Sequence, residues 1–441
     1  MPIVRLIKIL NLKNFSYFFI YLTVLFSVFI IEYIYLLPSP TGDDKDFINL
    51  TVNICNNNSF LVETTPQAQQ GTPEWKHHGF FGQFLFAKLN YFCDTKIYYL
   101  LNFFVKFFTQ IFLFLIFVKF IKTKSLFFIL IATLCSQLYT QFRPETFSIL
   151  IYFIIIYFFL NEKFIFSGIF FAVLYYSQPT IFFLFSLIFI IFFYKKIFIN
   201  FLSLSFGSIL ALISIIYFYQ YSFFDYLIAP LKNSGSYELH YFSFERLLAN
   251  YILNKKAPFF IFYFFLVFIF LFLKKKHILL SLPFLIYFGP FTGMHEYNLI
   301  AIIPFFLFLF EYSNKREIKF FKLIYLFIIV ALFTPYITRN FFTILFHGNN
   351  FTLTSNYIKN NIDNLRYLPE FIKYTNPEVK LKYKTKVENK FFSNDFVDAY
   401  AVNGSRYNCE TLSNKNPGIS IFGFKLFSSN TSYDIYLCKI R

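Results

Sequence analysis

Long apolar runs broken by short basic clusters fill most of the chain. A helix that crosses a bilayer needs roughly 20 apolar residues, and about eleven runs approach that length. The first is Phe15–Leu37. The others fall at about 97–118, 126–142, 145–160, 164–178, 180–194, 197–219, 257–273, 278–293, 297–312 and 319–338. The stretches 38–95 and 220–256 are polar and too long for simple turns. Beyond residue 338 the pattern changes to short alternating stretches such as Ile419–Phe427 and Ser432–Ile440, which read as strands, after a helical start near Leu353–Tyr374.

The charges give these runs a direction. Arg5, Lys8 and Lys13 precede the first run and place the N-terminus in the cytoplasm. Every second connection is then basic: Lys119, Lys122 and Lys124; Lys163; Lys195 and Lys196; Lys274–Lys276; and Lys315, Arg316, Lys319 and Lys322. An error of one helix would break this alternation. The fold class expected is therefore an all-α polytopic membrane protein of about eleven transmembrane helices. It has a long first outer loop with short interfacial helices, and a small α/β or β C-terminal outer domain. Residues 1–338 form the membrane domain, with outer loops at 38–95 and 220–256, and residues 339–441 form the extracytoplasmic domain. The first apolar run lacks a small-residue cleavage site and is expected to stay as a signal anchor. A bacterial inner membrane or its equivalent is the expected location.

Composition supports this reading. Of the 441 residues, 57% are hydrophobic and 14% charged, against about 25% charged in a soluble domain. The net charge of +17 comes with lysines clustered in short groups between the apolar runs, as inner loops have them, so no nucleic acid is expected as a partner. With Phe 75 and Tyr 34 in the chain, no single aromatic is read as a binding residue. Cys55 and Cys93 share one outer loop, Cys409 and Cys438 share the outer tail, and Cys135 lies within a run. Either outer pair can be bridged in an oxidising compartment, or both can stay free.

The polar residues that can carry chemistry gather on the outer side. Asp43, Asp44 and Asp46 stand where the chain leaves the first run. A carboxylate there suits a general base, and paired acids can also share a proton or hold a metal. The plainer alternative is a solvated helix cap before Phe47. His77 and His78 follow Trp75 later in the loop and suit an anion or one metal ligand. Arg143-Pro144-Glu145 sits at the outer end of a helix hairpin, where an arginine can grip a phosphate with its bidentate fork and a Glu after Pro can equally cap the helix. Gln178 lies in the next outer turn, and His295 and Tyr297 in a later one. The chain has no P-loop, dinucleotide-binding, zinc-protease or Cys-x-x-Cys pattern. A substrate activated elsewhere and delivered in the membrane fits better than nucleotide-driven chemistry.

This arrangement resembles the GT-C glycosyltransferases, which use polyprenyl- or dolichyl-phosphate sugars and include protein mannosyltransferases and aminoarabinose transferases. In that family an acidic pair opens the first outer loop, with an aromatic three residues after the second acid, a spacing matched by Asp43, Asp44 and Phe47. A His-Pro-Pro-like segment is similar to His78-Gly79-Phe80 without its prolines, and an Arg-Pro-Glu-like outer turn is similar to Arg143–Glu145. The likeness covers about residues 15–180 by motif and the rest by architecture. It implies an inverting hexosyl- or pentosyltransferase with Asp43 as base and Asp44 second. Arg143, with His78 or His295, would neutralise the leaving phosphate, and Glu145, Gln178, His77 and Tyr297 complete the substrate-binding set. The implied partners are a lipid-linked sugar donor, membrane lipid, and a lipid, glycan or protein acceptor. No cofactor is required by any motif, and a divalent cation remains an option, though Asp44 stands where the family commonly has Glu. The alternatives are a transporter or flippase, and a polymerase or ligase, of lipid-linked saccharides. A transporter would place ionisable residues in mid-membrane, and no internal repeat supports one.

Overall fold

A computed structural model of the chain describes residues 81–91, 93, 95–120, 126–139 and 142–219. It also describes scattered helical positions within 19–30, 47–56 and 304–312, and five short strands between 396 and 438. The described residues are mostly helical. Seven helices run Phe81–Leu89 (α1), Thr95–Phe120 (α2), Leu126–Tyr139 (α3), Pro144–Leu160 (α4), Phe164–Ser177 (α5), Pro179–Ile199 (α6) and Phe201–Tyr219 (α7). Two of them are long and apolar enough to cross a membrane, at Ile97–Phe117 and Ile181–Ile199. The expected helices beyond residue 219, the 220–256 loop and the helical start near 353–374 lie outside the described residues.

α4 is the centre of the bundle. Pro144 occupies its first turn, where a missing N–H costs nothing. Arg143 before it is extended, with φ −83° and ψ 156°, as a residue preceding proline prefers. From Pro144 through Ile156 every residue is buried, the mark of a helix that is apolar all round and packed on all sides. Aromatic rings tie it to its neighbours. The Tyr152 ring lies 5.5 Å from Phe185 of α6 and 5.4 Å from Phe305, and Phe159 lies 4.8 Å from Phe189. α4 ends in a Schellman turn: Lys163 N–H bonds Phe158 O, Glu162 N–H bonds Phe159 O, and Glu162 is left-handed at φ 63°.

α5 and α7 cross at their glycines. A Cβ on Gly168 would run into the Leu204 carbonyl, and one on Gly207 would run into the Ile165 carbonyl. The same three-residue offset recurs on both helices. Ser208 Oγ completes the crossing by donating to Gly168 O at 2.8 Å. The other side of α7 presents Phe201, Leu202, Phe206, Ile209, Ile213 and Tyr217, all exposed. Such an apolar stripe suits lipid rather than water.

One boundary differs from the sequence expectation. The run expected to stop near residue 194 continues to Ile199, through a non-helical Phe193 (φ −120°, ψ 17°). Lys195 and Lys196 therefore lie within α6 and not in a loop, and α7 begins at Phe201 rather than 197. Basic residues are favoured in a last helical turn. Lys196 also reaches Glu162 at 3.3 Å and lies 5.6 Å from the Phe159 and Phe164 rings.

Cys55 and Cys93 are joined in a disulfide, with Cα atoms 5.7 Å apart. The bond ties Cys55, at a helical position, to the turn between α1 and α2. For a sequence separation of 38 the chain-entropy model gives about 4 kcal/mol. In the tail, β1 (Phe396–Asp398), β5 (Ile435–Cys438) and β2 (Cys409–Thr411) form an antiparallel sheet in the order β1-β5-β2, while β3 (Ile419–Ile421) and β4 (Phe424–Phe427) form a hairpin. The register of β2 against β5 sets Cys409 directly opposite Cys438. Opposite residues in an antiparallel pair have Cα atoms about 4.5–5.5 Å apart, inside the range a disulfide spans. Thiol counting on the denatured, unreduced protein is expected to find one free cysteine, Cys135. Three free thiols would show that the tail pair is reduced.

Candidate functional site

At the start of α4 the sequence places an arginine, a proline and a glutamate in succession, and the fold buries the result. Glu145 is 1% exposed and the Arg143 side chain 12%. Arg143 Nε meets Glu145 Oε2 at 3.4 Å, and Gln178 Nε2 donates to Glu145 Oε1 at 2.9 Å. Gln178 reaches the carboxylate because it is the single residue between α5 and α6, extended at φ −161°, with its N–H held by Leu174 O. Three site residues proposed from sequence are thus brought together at one end of the bundle. A buried carboxylate here has both a cation and an amide donor, the condition for keeping a charge out of water.

Phe47 closes one side of this cluster. It is buried, and its ring centroid lies 5.5 Å from the Arg143 guanidinium carbon, within the range of a cation–π contact. This is the aromatic that follows the acidic pair in the sequence. On another side stands α1. Gly82 lets it approach α4 closely, since a Cβ there would sit 3.1 Å from the Phe147 ring. That approach puts Gln83 Nε2 3.4 Å from Phe142 O, the carbonyl of the peptide joining Phe142 to Arg143. Tyr99 of α2 packs edge-on against Phe142 at 4.8 Å. Asp43, Asp44, His77, His78, His295 and Tyr297 lie outside the described residues. Among the described residues no group of three His, Cys, Asp or Glu side chains gathers.

Sequence reasoning did not single out Gln83 or Lys106. Lys106 is 2% exposed on α2, about 16 Å along the helix from Thr95 at about 1.5 Å per residue. Asn102, Thr109 and Gln110 share its face at helical spacing and are equally buried. Gln137 of α3 joins them, donating to Thr109 Oγ1 at 2.7 Å and accepting from Gln110 Nε2 at 3.3 Å. The available signal was a lone lysine inside the run Phe103-Phe-Val-Lys-Phe-Phe.

No protein-family model, curated protein or solved structure matches the chain.

Proposed function

We propose that the protein is an inverting glycosyltransferase of the membrane, moving a sugar from a polyprenyl-phosphate donor to a lipid, glycan or protein acceptor on the extracytoplasmic face. In this reading the eleven apolar runs span the bilayer, and the Arg143 end of the bundle faces outward. One observation carries the proposal: Phe47, which closes the acidic segment, packs on the guanidinium of Arg143. Asp43, the base of this reading, is four residues from Phe47, and a chain spans at most about 3.6 Å per residue, which bounds their Cα separation at about 14 Å. A base and a phosphate-binding cation can therefore serve one sugar phosphate.

Asp43 takes the proton from the acceptor hydroxyl, which attacks the anomeric carbon as the bond to the phosphate breaks. Arg143 stabilises the charge that grows on the departing phosphate, since a guanidinium presents its N–H donors in a fork that matches phosphate oxygens. Glu145 and Gln178 hold the arginine in place. Asp43→Asn is expected to abolish transfer in reconstituted membranes while leaving expression and folding normal. Transfer retained in that variant would remove Asp43 from the base role.

A transporter of lipid-linked saccharides is the second reading, and Lys106 favours it. An ionisable residue in the middle of an apolar span marks a substrate or ion pathway by default. The two readings part on whether the lipid-linked sugar is consumed or moved intact.

A further inference from the structure

Among the described residues, Gln83 Oε1 is buried and has no hydrogen-bond partner, on a side chain 4% exposed. Such orphaned acceptors are uncommon in a native interior and call for an explanation. Turning the amide over does not remove it. Nε2 faces the Phe142 carbonyl at 3.4 Å, and a flipped amide would set two acceptors against each other. Oε1 is therefore the atom left over, on an amide held at the peptide that leads into Arg143.

The pair has a chemical meaning. In the proposed function the Arg143 guanidinium meets a phosphate. An orphan carbonyl oxygen calls for a donor, which an ionised phosphate diester lacks. One ligand that answers both is a phosphate ester carrying a hydroxyl close to the phosphorus. We infer that Gln83 is a binding residue for a sugar hydroxyl of the donor, accepting the hydrogen bond that lets the site tell a glycosylated lipid phosphate from a bare one. The inference rests on the transferase reading of the Arg143 end and adds to it the feature that recognises the sugar.

The test uses the full-length protein in nanodiscs with farnesyl phosphate, farnesyl phosphoryl-hexoses and the matching hexose 1-phosphates. Wild type should bind one farnesyl phosphoryl-hexose more tightly than farnesyl phosphate, and Gln83→Met should lose that preference by roughly fivefold to tenfold, the worth of one neutral hydrogen bond. Unchanged binding of farnesyl phosphate shows the variant to be folded. Mono-deoxy sugars on wild-type protein make the test independent of folding: one missing hydroxyl should cost about the same factor, and nothing further in Gln83→Met. A preference that survives Gln83→Met, or no deoxy position that couples to it, overturns the assignment. Binding of hexose 1-phosphate but of neither lipid, lost in Gln83→Met, keeps the hydroxyl contact and overturns the lipid-linked reading instead.

Discussion

Methionine in place of Arg143 is expected to lower the unfolding free energy by about 3–5 kcal/mol, the usual cost of stripping a buried charge of its partner. Glu145 is 1% exposed, so without the guanidinium its buried carboxylate keeps the Gln178 amide but loses a cationic partner, or takes up a proton. The 3.4 Å contact is long for a charge-assisted bond, which favours the lower end of that range. The double variant Arg143→Met, Glu145→Gln should recover most of the loss, because a neutral amide still accepts from Gln178 and no lone charge remains. Denaturation in detergent micelles of the two single variants and the double gives the coupling directly. Additive losses would show that the two side chains do not act as a pair. Under the proposed function the double variant is stable yet inactive, which separates the structural role of the arginine from its chemical one.

Alanine at Gly168 or Gly207 is the second large effect. Each new methyl meets a backbone carbonyl of the opposite helix, and backbone cannot step aside as a side chain can. Either α5 and α7 separate or the crossing angle changes, and Ser208 Oγ loses its reach to Gly168 O. Overpacking of this kind costs roughly 1–3 kcal/mol and sometimes more. The two substitutions push the same helices apart, so the double variant is expected to lose clearly less than the sum. Strict additivity in melting experiments would mean that the two glycines do not share one crossing. Serine at Gly168 should behave like alanine, since the obstacle is volume and not polarity.

How far this was legible follows from the physics of each signal. Run length and basic clusters placed α2 to α7 within a few residues, because apolar runs and helix-ending turns are local. Pro144 and Pro179 marked two turns for the same reason, and Arg143, Glu145 and Gln178 stood out as polar residues beside them. The run to Ile199 was missed because Lys195 and Lys196 read as a loop, whereas α6 carries them on, with Lys196 beside Glu162 and the Phe159 and Phe164 rings. Gln83 was missed because its partner carbonyl lies 59 residues away. Lys106 was missed because one polar residue does not stop an apolar run from reading as a span. The Cys55–Cys93 bond was one option among several, since pairing within a loop depends on its fold. The acidic pair at 43–44 carries the chemical proposal, and its link to the site rests on Phe47 and chain length.

The central claim is that the Arg143 end consumes a lipid-linked sugar. The decisive measurement incubates the purified protein, in proteoliposomes, with polyprenyl-phosphate sugars extracted from its source membranes together with an acceptor extract, and follows each lipid by mass spectrometry. The account predicts that one lipid phospho-sugar disappears while free polyprenyl phosphate accumulates in step, and that Arg143→Met, Glu145→Gln leaves the donor intact. If no lipid-linked sugar is cleaved while an intact one moves from one leaflet to the other, the protein is a transporter and the transferase account is wrong.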